Sequence, residues 1–400
     1  QKEPVIPLPR SWHSHGVWSD EAKAVAEAFF NRYAEMGIEG IKEEFKKEIE
    51  GYKSPDYADT MWKANPTKNR DKDQMTCLDG SRYEFRDKKK YINASWVYDT
   101  QLVERKYILA QEPIVPFHMI LPSFPNPKEN HSTLEEFWEM VRLESCIFVL
   151  KFNQVPVIDC KGKGTYTEYM DGSFYPRENI RALPIGNLWL ESKTAERQSI
   201  NILIHPHHTY VTPRACPVEE NHKHKKTIVQ VQEGCSNLAH HVRIFHDKGP
   251  SWSMLKIRDL LLSLRQLEYN SNAEKSPIVL VDDHSGTSRA AMFVAIDVLG
   301  TLLYHHHKDV TLASIVKWIR RCRNGAIRDA DEYVFIMKVL MGIILRKFGR
   351  NKPEKVAALY NEMTNVDENK KKEEENKKKE EEAIRKKEND AKNEQEEIKK

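Results

Sequence analysis

The chain has 400 residues, 40% of them hydrophobic, which is enough apolar material for the core of one large domain or two ordinary ones. Lys and Arg number 63 against 60 Asp and Glu, and a net charge of +3 is too small to favour nucleic acid or a membrane surface as the partner. No apolar run approaches the ~20 residues that cross a bilayer, and the six cysteines form no paired framework. These features argue against membrane insertion and a disulfide scaffold, and they favour a cytoplasmic protein with reduced thiols.

The predicted elements place strands in the middle of the chain and most helices late. This arrangement predicts an α/β (α+β) fold in which a large central twisted mixed sheet is flanked by helices. The predicted helices span 20–35, 253–268, 289–306, 311–323 and 331–348, and the predicted strands are KYINASWV, KYILAQ, CIFVLKF, TYTEYM, INILIH, KTIVQVQ and HHVRIFH.

Composition divides the chain into three regions. From Asn369 onward, blocks of Lys and Glu replace apolar residues almost completely, so this end is either disordered or a solvent-exposed single helix. We predict an N-terminal extension at 1–19, one domain at 20–350 and a charged tail at 351–400.

A strand, a short polar loop and a helix follow one another at 278–299, IVLVDDHSGTSRAAMFVAIDVL. This order points backbone N–H groups and the positive end of a helix dipole at one place, with Arg289 beside it, which favours an anion site. Asp282 and Asp283, however, stand at the end of the strand.

Several separated motifs resemble the classical protein tyrosine phosphatase family, in the family's order, over about residues 20–350. FWEMV at 137–141 is identical to the family's helix motif, while the other motifs are altered versions. They are KNR at 68–70, YINAS at 91–95, YILAQEP at 107–113, FHDKG at 245–249, VDDHSGTSRA at 281–290 and RNGAIRDADEYVF at 323–335.

The resemblance implies that most catalytic positions of the family are altered. The family's nucleophilic cysteine is replaced by Asp283, and the hydroxyl residue that follows the family's arginine is replaced by Ala290. The two glutamine positions are occupied by Arg328 and Glu332, while the general-acid position keeps its aspartate as Asp247. We therefore predict that the domain is not an enzyme and has no catalytic residue, residual phosphatase activity being a less favoured alternative.

The same resemblance implies a binding site for phosphate. Its predicted contacts are Arg289, the loop His284, Ser285, Gly286, Thr287 and Ser288, and the surrounding Asp73, Lys72, Arg328 and Asp247. Two alternatives stay open: Asp283 is protonated when phosphate enters, or its carboxylate occupies the loop and pairs with Arg289. Arg328 either adds positive charge to the site or pairs at the surface with Glu332 or Asp329. The family's tyrosine that stacks on the substrate ring is replaced by Asp71.

An inactive phosphatase-like domain that binds a phosphorylated partner looks similar to the nematode egg-cortex pseudophosphatases, which restrain a dual-specificity-tyrosine-regulated kinase by engaging its phosphotyrosine activation loop. This similarity implies a cytoplasmic protein at the cell cortex that binds a tyrosine-phosphorylated kinase and inhibits it without dephosphorylation. The alternative is a scaffold whose pocket is closed by Asp283 and whose partners bind elsewhere, for example on the Pro- and Asn-rich connection at 114–134. No cofactor and no metal site is predicted, since the histidine clusters lack ligand spacing, and the oligomeric state stays open.

Overall fold

A computed structural model describes residues 12–13, 18–99, 105–115, 132–146, 148–152, 182–196, 199–206, 240–247, 261, 276–282 and 285–365. Within these ranges, side chains at 182–184, 192–201, 205–206, 240–247 and 282 are not described. No helix in the described ranges is both long and apolar enough to cross a membrane.

Eight strands form one mixed sheet, which confirms the predicted fold class. The strands are β1 (Ala94–Val97), β2 (Tyr107–Gln111), β3 (Phe148–Phe152), β4 (Ala182–Ile185), β5 (Leu188–Glu196), β6 (Ser199–Pro206), β7 (His240–Asp247) and β8 (Ile278–Asp282). Their order in the sheet is β1-β2-β8-β3-β7-β6-β5-β4. Strands β2, β8, β3 and β7 run parallel at the centre, while β1 on one side and the β6–β5–β4 ribbon on the other pair antiparallel.

Helices cover both faces of this sheet. The helices of the described ranges are α1 (Asp20–Phe45), α2 (Thr60–Ala64), α3 (Leu134–Leu143), α4 (Arg289–Tyr304), α5 (Leu312–Cys322), α6 (Ala330–Ile344) and α7 (354–365), with single turns at Lys46–Glu50, Pro66–Lys68 and Leu345–Phe348.

Strand β8 explains why its sequence is apolar at successive positions. Ile278 and Leu280 belong to the core cluster under α1, α4, α5 and α6, while Val279 and Val281 belong to the cluster under α3. A central parallel strand is buried on both faces, so its apolar residues do not alternate with polar ones. Helix α4 is enclosed in the same way, with 14 of its residues buried, which explains its nearly continuous apolar sequence.

The sequence analysis did not predict β4 and β5. Pro184 lies in β4, and proline is tolerated there because β4 is the edge strand of the sheet. The second half of β5 is polar and contains a register shift between Ser192 and Thr194, so neither strand has a clear alternating pattern. The predicted strands at 165–170 and 226–232, and all but residue 261 of the helix at 253–268, lie outside the described residues.

Two tryptophans that precede α1 contribute to the core. Trp12 is 2% exposed and Trp18 is 5% exposed, and the indole of Trp18 donates to the carbonyl oxygen of Trp12 at 2.9 Å. The Trp12 indole donates to Asp297 Oδ1 at 2.9 Å. Its ring packs against Gly300 so closely that a Cβ added to Gly300 would lie 2.3 Å from the ring. The domain start at residue 20 stays a prediction, and the described part of the preceding segment packs on α4.

Candidate functional site

The loop 285–288 lies between β8 and α4, where the sequence analysis predicted an anion site. Its turn requires glycine at position 286, because Gly286 has φ = 63° and any other residue there would have its Cβ 2.6 Å from the carbonyl oxygen of Ala110 in β2. Inside the turn, the hydroxyls of Ser285 and Thr287 are hydrogen-bonded at 2.6 Å. The loop therefore packs directly on the neighbouring strand.

Two buried arginines of the RRCRNG segment hold this loop and the segment facing it. Arg323 is fully buried and donates from Nε to the Ser285 carbonyl at 3.1 Å and again from Nη2. Arg320 donates to the carbonyl oxygens of Ala326 at 2.8 Å and Ile327 at 2.7 Å. Through these bonds the two arginines support the site.

Ile327 is held in an uncommon backbone conformation next to the loop. Its φ is 58°, a value that a β-branched residue rarely adopts, and its N–H donates to the carbonyl oxygen of Thr287 at 2.8 Å. Such strain persists only where the surroundings over-determine the backbone, as the bonds from Arg320 do here. Arg320 and Arg323 were not among the predicted site residues, although Arg320 follows Val316 by four residues on the buried face of α5 and so stands at an apolar position.

Arg289 is the first residue of α4 and is only 9% exposed. Its position places a guanidinium at the N-terminal end of the helix, where the dipole is positive. Ala290, next to it, is fully buried. The arrangement of loop, helix terminus and arginine can bind an oxyanion.

Arg328 and Glu332 both contact the loop and each other. Arg328 Nη2 donates to Ser288 Oγ at 3.0 Å, while its Nη2 also lies 3.2 Å from Glu332 Oε1. The Ser288 hydroxyl donates to Glu332 Oε1 over a short distance. Arg328 is thus ion-paired with Glu332, the second of the two alternatives, and its guanidinium also contacts the loop at Ser288.

The KNR segment forms a second loop beside the site. Arg70 is anchored to the carbonyl oxygens of Glu112 and Pro113, both at 2.6 Å. Asp71, at the family's ring-stacking position, folds the loop, since its Oδ1 accepts from the backbone N–H groups of Asp73 at 3.0 Å and Gln74 at 2.9 Å.

For the remaining predicted contacts, the structure shows no hydrogen bond to the 285–288 loop among the described residues. Lys72 and Asp73 are exposed at the tip of the KNR loop. Asp247 is the last residue of β7, where its backbone is in register with Phe152, and its side chain is not described. Asp283 and His284 lie outside the described residues, so the two alternatives for the Asp283 carboxylate stay open.

Cys77 lies behind the loop and is connected to it through Arg323. Its Sγ is 3.5 Å from the carbonyl oxygen of Ala94 and 3.8 Å from Ser95 Oγ, and Ser95 accepts from Arg323 Nη1 at 3.1 Å. Burial raises the pKa of the Cys77 thiol, although Arg323 opposes that effect, so the neutral thiol is favoured near neutral pH.

Residues 65–342 match the family model described as Protein-tyrosine phosphatase, which covers well over half of the chain. The chain belongs to the protein-tyrosine phosphatase family. A search of curated proteins gave no match. Within the family domain, the sheet, the 285–288 loop and the helix that begins at Arg289 form the candidate phosphate-binding site of this phosphatase-family protein.

The prediction that this domain is not an enzyme is contradicted. It was based on Asp283, whereas the phosphatase domain contains a candidate active-site cysteine, Cys77, buried beside Ala94 and Ser95 and linked through Arg323 to the loop. The replacement of one cysteine at position 283 is therefore no ground for excluding activity. The interpretation of five positions as degenerate catalytic residues stays a prediction; they are Asp283, Asp247, Ala290, Arg328 and Glu332.

Proposed function

We propose that this phosphatase-family domain binds a tyrosine-phosphorylated protein at the 285–289 loop. One observation carries the proposal: Arg289 lies at the N-terminus of α4, directly after a loop anchored by Gly286 and Arg323. A phosphate dianion accepts hydrogen bonds from guanidinium and backbone N–H groups alike, and a preformed site needs little ordering when it binds.

The charged residues at this site have opposite effects on a bound phosphoryl group: arginine attracts it, and carboxylates repel it. A unit charge pair ~4 Å apart contributes about 4 kcal/mol at an effective dielectric near 20, so Arg289 attracts the group strongly. An ionised Asp283 carries a charge of the same sign as the phosphoryl group and would oppose it, and the ion pair of Arg328 with Glu332 adds little net charge. Binding therefore depends on Arg289 and the loop N–H groups more than on the residues around them.

The chemistry of the partner follows from the same residues. A protein that presents phosphotyrosine would place its phosphate on the loop, beside Arg328. We expect its flanking residues to contact the exposed Lys72 and Asp73, and Asp247 at the end of β7. The resemblance to the nematode egg-cortex pseudophosphatases supports a tyrosine-phosphorylated kinase as the partner and the cell cortex as the place of binding.

Calorimetry with a phosphotyrosine peptide and its unphosphorylated twin tests the proposal. We expect the phosphopeptide to bind more tightly, and we expect Arg289→Ala to weaken that binding about 30-fold, the equivalent of ~2 kcal/mol for a charge-assisted hydrogen bond. Arg346→Ala is the control, because Arg346 is exposed in the single turn Leu345–Phe348. Released phosphate is measured in parallel, because Cys77 is a candidate active-site cysteine and the peptide would lose its phosphate if the domain hydrolysed it.

Equal affinity for the two peptides, unchanged in Arg289→Ala, would contradict the proposal. That outcome would favour the scaffold in which Asp283 closes the pocket and partners bind elsewhere. Loss of affinity in Arg346→Ala as well as Arg289→Ala would assign the effect to overall charge instead of the loop.

A further inference from the structure

Glu332 places a carboxylate on the phosphate loop, at a position where the resemblance implies a glutamine. Its Oε1 accepts the hydroxyl proton of Ser288, the residue immediately before Arg289, over a short distance. The Glu332 side chain is 11% exposed, so this contact is made in a largely desolvated place. Electrostatic interactions are stronger there than at an open surface.

The local backbone holds this carboxylate in place. Glu332 lies in the first turn of α6, where its N–H donates to Oδ1 of the N-cap residue Asp329 at 2.8 Å. Glu332 Oε2 accepts from the backbone N–H of Arg328 at 2.7 Å. The first bond fixes the backbone of Glu332 and the second fixes its carboxylate, which is thereby held beside Ser288.

The same carboxylate also engages the guanidinium of Arg328, which contacts the loop at Ser288. Arg328 donates from Nε to Glu332 Oε1 at 3.2 Å and from Nη2 to Ser288 Oγ at 3.0 Å. The Arg328 side chain is 48% exposed, whereas its partner carboxylate is nearly buried. The long arginine side chain can therefore turn toward solvent, while the carboxylate cannot.

A phosphoryl group and the Glu332 carboxylate compete for the same donors. Both are acceptors only, and the single Ser288 proton can be donated to one of them at a time. The carboxylate also carries a like charge, which opposes a phosphate dianion close to the loop. A guanidinium, in turn, can bind either acceptor through two N–H groups.

We propose that Glu332 is a specificity-determining residue of the phosphate loop, an internal acceptor that a phosphoryl group must displace from Ser288 and Arg328. Binding then requires Arg328 to turn from the carboxylate to the phosphate, and weak or singly charged anions cannot drive this exchange. The inference rests on the proposed function, because it concerns how phosphotyrosine enters the same loop.

Glu332→Gln tests the inference by peptide calorimetry. Glutamine keeps the shape of the side chain and removes its charge, so we expect affinity for the phosphopeptide to rise about tenfold while affinity for the unphosphorylated twin stays unchanged. Glu332→Asp withdraws the carboxylate from Ser288 but keeps the charge, so a smaller gain is expected. A residue with only a structural role would not produce a gain in either variant.

Asp331→Asn is the matched control, since it removes one negative charge from the same helical turn. The Asp331 side chain is 64% exposed, and its Oδ1 lies 3.5 Å from Lys42 Nζ. We expect its phosphopeptide affinity to stay within about twofold of the wild type, because exposed charges are screened by salt.

The outcomes separate this inference from the proposed function. If wild-type binding depends on phosphate and on Arg289 but neither Glu332 variant gains affinity, the inference is overturned and the proposed function stands. A gain of equal size in Asp331→Asn also overturns it, since total charge would then explain the effect. If the wild type does not discriminate between the two peptides, the proposed function itself fails.

Discussion

Asp297 is a buried carboxylate in α4, about two helical turns from Arg289. Its Oδ1 accepts from the Trp12 indole at 2.9 Å, and its Oδ2 accepts from Tyr107 Oη at 2.8 Å and Arg105 Nη1 at 3.1 Å. Burial acts to raise the pKa of Asp297, but Arg105, His13 and the two neutral donors together lower it below its ordinary value. The charged form is thus stabilised inside the folded domain.

Asp297→Asn should lower the free energy of unfolding at pH 7 by about 3 kcal/mol, because it leaves the Arg105 guanidinium without its buried partner. The folded pKa of Asp297 is lower than its unfolded pKa of about 4, so the stabilisation is present above that pH and is lost as the pH falls toward the folded pKa. Denaturant unfolding of both proteins between pH 7 and pH 3 measures this difference.

Asp20→Asn is the control for that experiment, since the Asp20 side chain is 95% exposed and its Oδ1 lies 3.0 Å from Lys23 Nζ. We expect no measurable change in its unfolding free energy. A difference between Asp297→Asn and the wild type that grows as the pH falls from 5 to 3 would contradict the assignment of a lowered pKa.

At the scale of elements, the candidate site is a turn between β8 and α4, which packs on the end of β2. The close approach of Gly286 to the Ala110 carbonyl sets the path of the loop, and Arg323 fixes the Ser285 carbonyl from the other side. These contacts tie the loop to two elements at once. The direction of the backbone N–H groups at the start of α4 follows from them.

Gly286→Ala should weaken phosphopeptide binding and lower the unfolding free energy by about 2 kcal/mol, because alanine is strained at φ = 63° and its Cβ would lie 2.6 Å from a backbone oxygen. Gly349→Ala is matched to it: Gly349 has the same φ of 63° and no atom within 4 Å of an added Cβ. The control should cost about 1 kcal/mol and leave phosphopeptide affinity unchanged. Equal effects of the two variants on affinity would rule out the close contact as the cause.

At the scale of the whole molecule, one core cluster joins the segment before α1 to the last helix described. Trp12 and Trp18 belong to this cluster together with Val356, Leu359 and Met363 of α7. The chain therefore packs residues from both sides of the family-matched range 65–342 on the same face of the sheet. The support of α4 depends on segments outside that range.

Trp12→Ala should lower the unfolding free energy by about 4 kcal/mol, since it removes a large side chain that is 2% exposed and the hydrogen bond to Asp297. Tyr57→Ala is the control, because Tyr57 is 43% exposed and its loss should change stability by no more than about 0.5 kcal/mol. Thermal unfolding by calorimetry compares the two, and equal melting temperatures would show that the N-terminal segment contributes nothing to the domain.

The sequence by itself determined the fold class, the late helices and the strand–loop–helix order around Arg289. These features are local, because apolar periods and the residues of the motifs lie within a few positions of one another. The same local reasoning failed at β4 and β5, whose pairing with neighbouring strands outweighs their weak patterns. No local pattern indicated Cys77, whose connection to the loop runs through Ser95 and Arg323.

The tertiary structure decided which residues meet at the loop. Ser285 is bound by Arg323 across 38 positions, Ser288 by Glu332 across 44, and Asp297 by Trp12 across 285. A side chain's partners are set by how the sheet and helices pack, and no period or spacing in the chain encodes such long separations. The sequence predicted a candidate anion loop with Arg289 and Arg328, whereas packing determined that Glu332 contacts Ser288 and that Arg320 and Arg323 support the loop and the segment facing it.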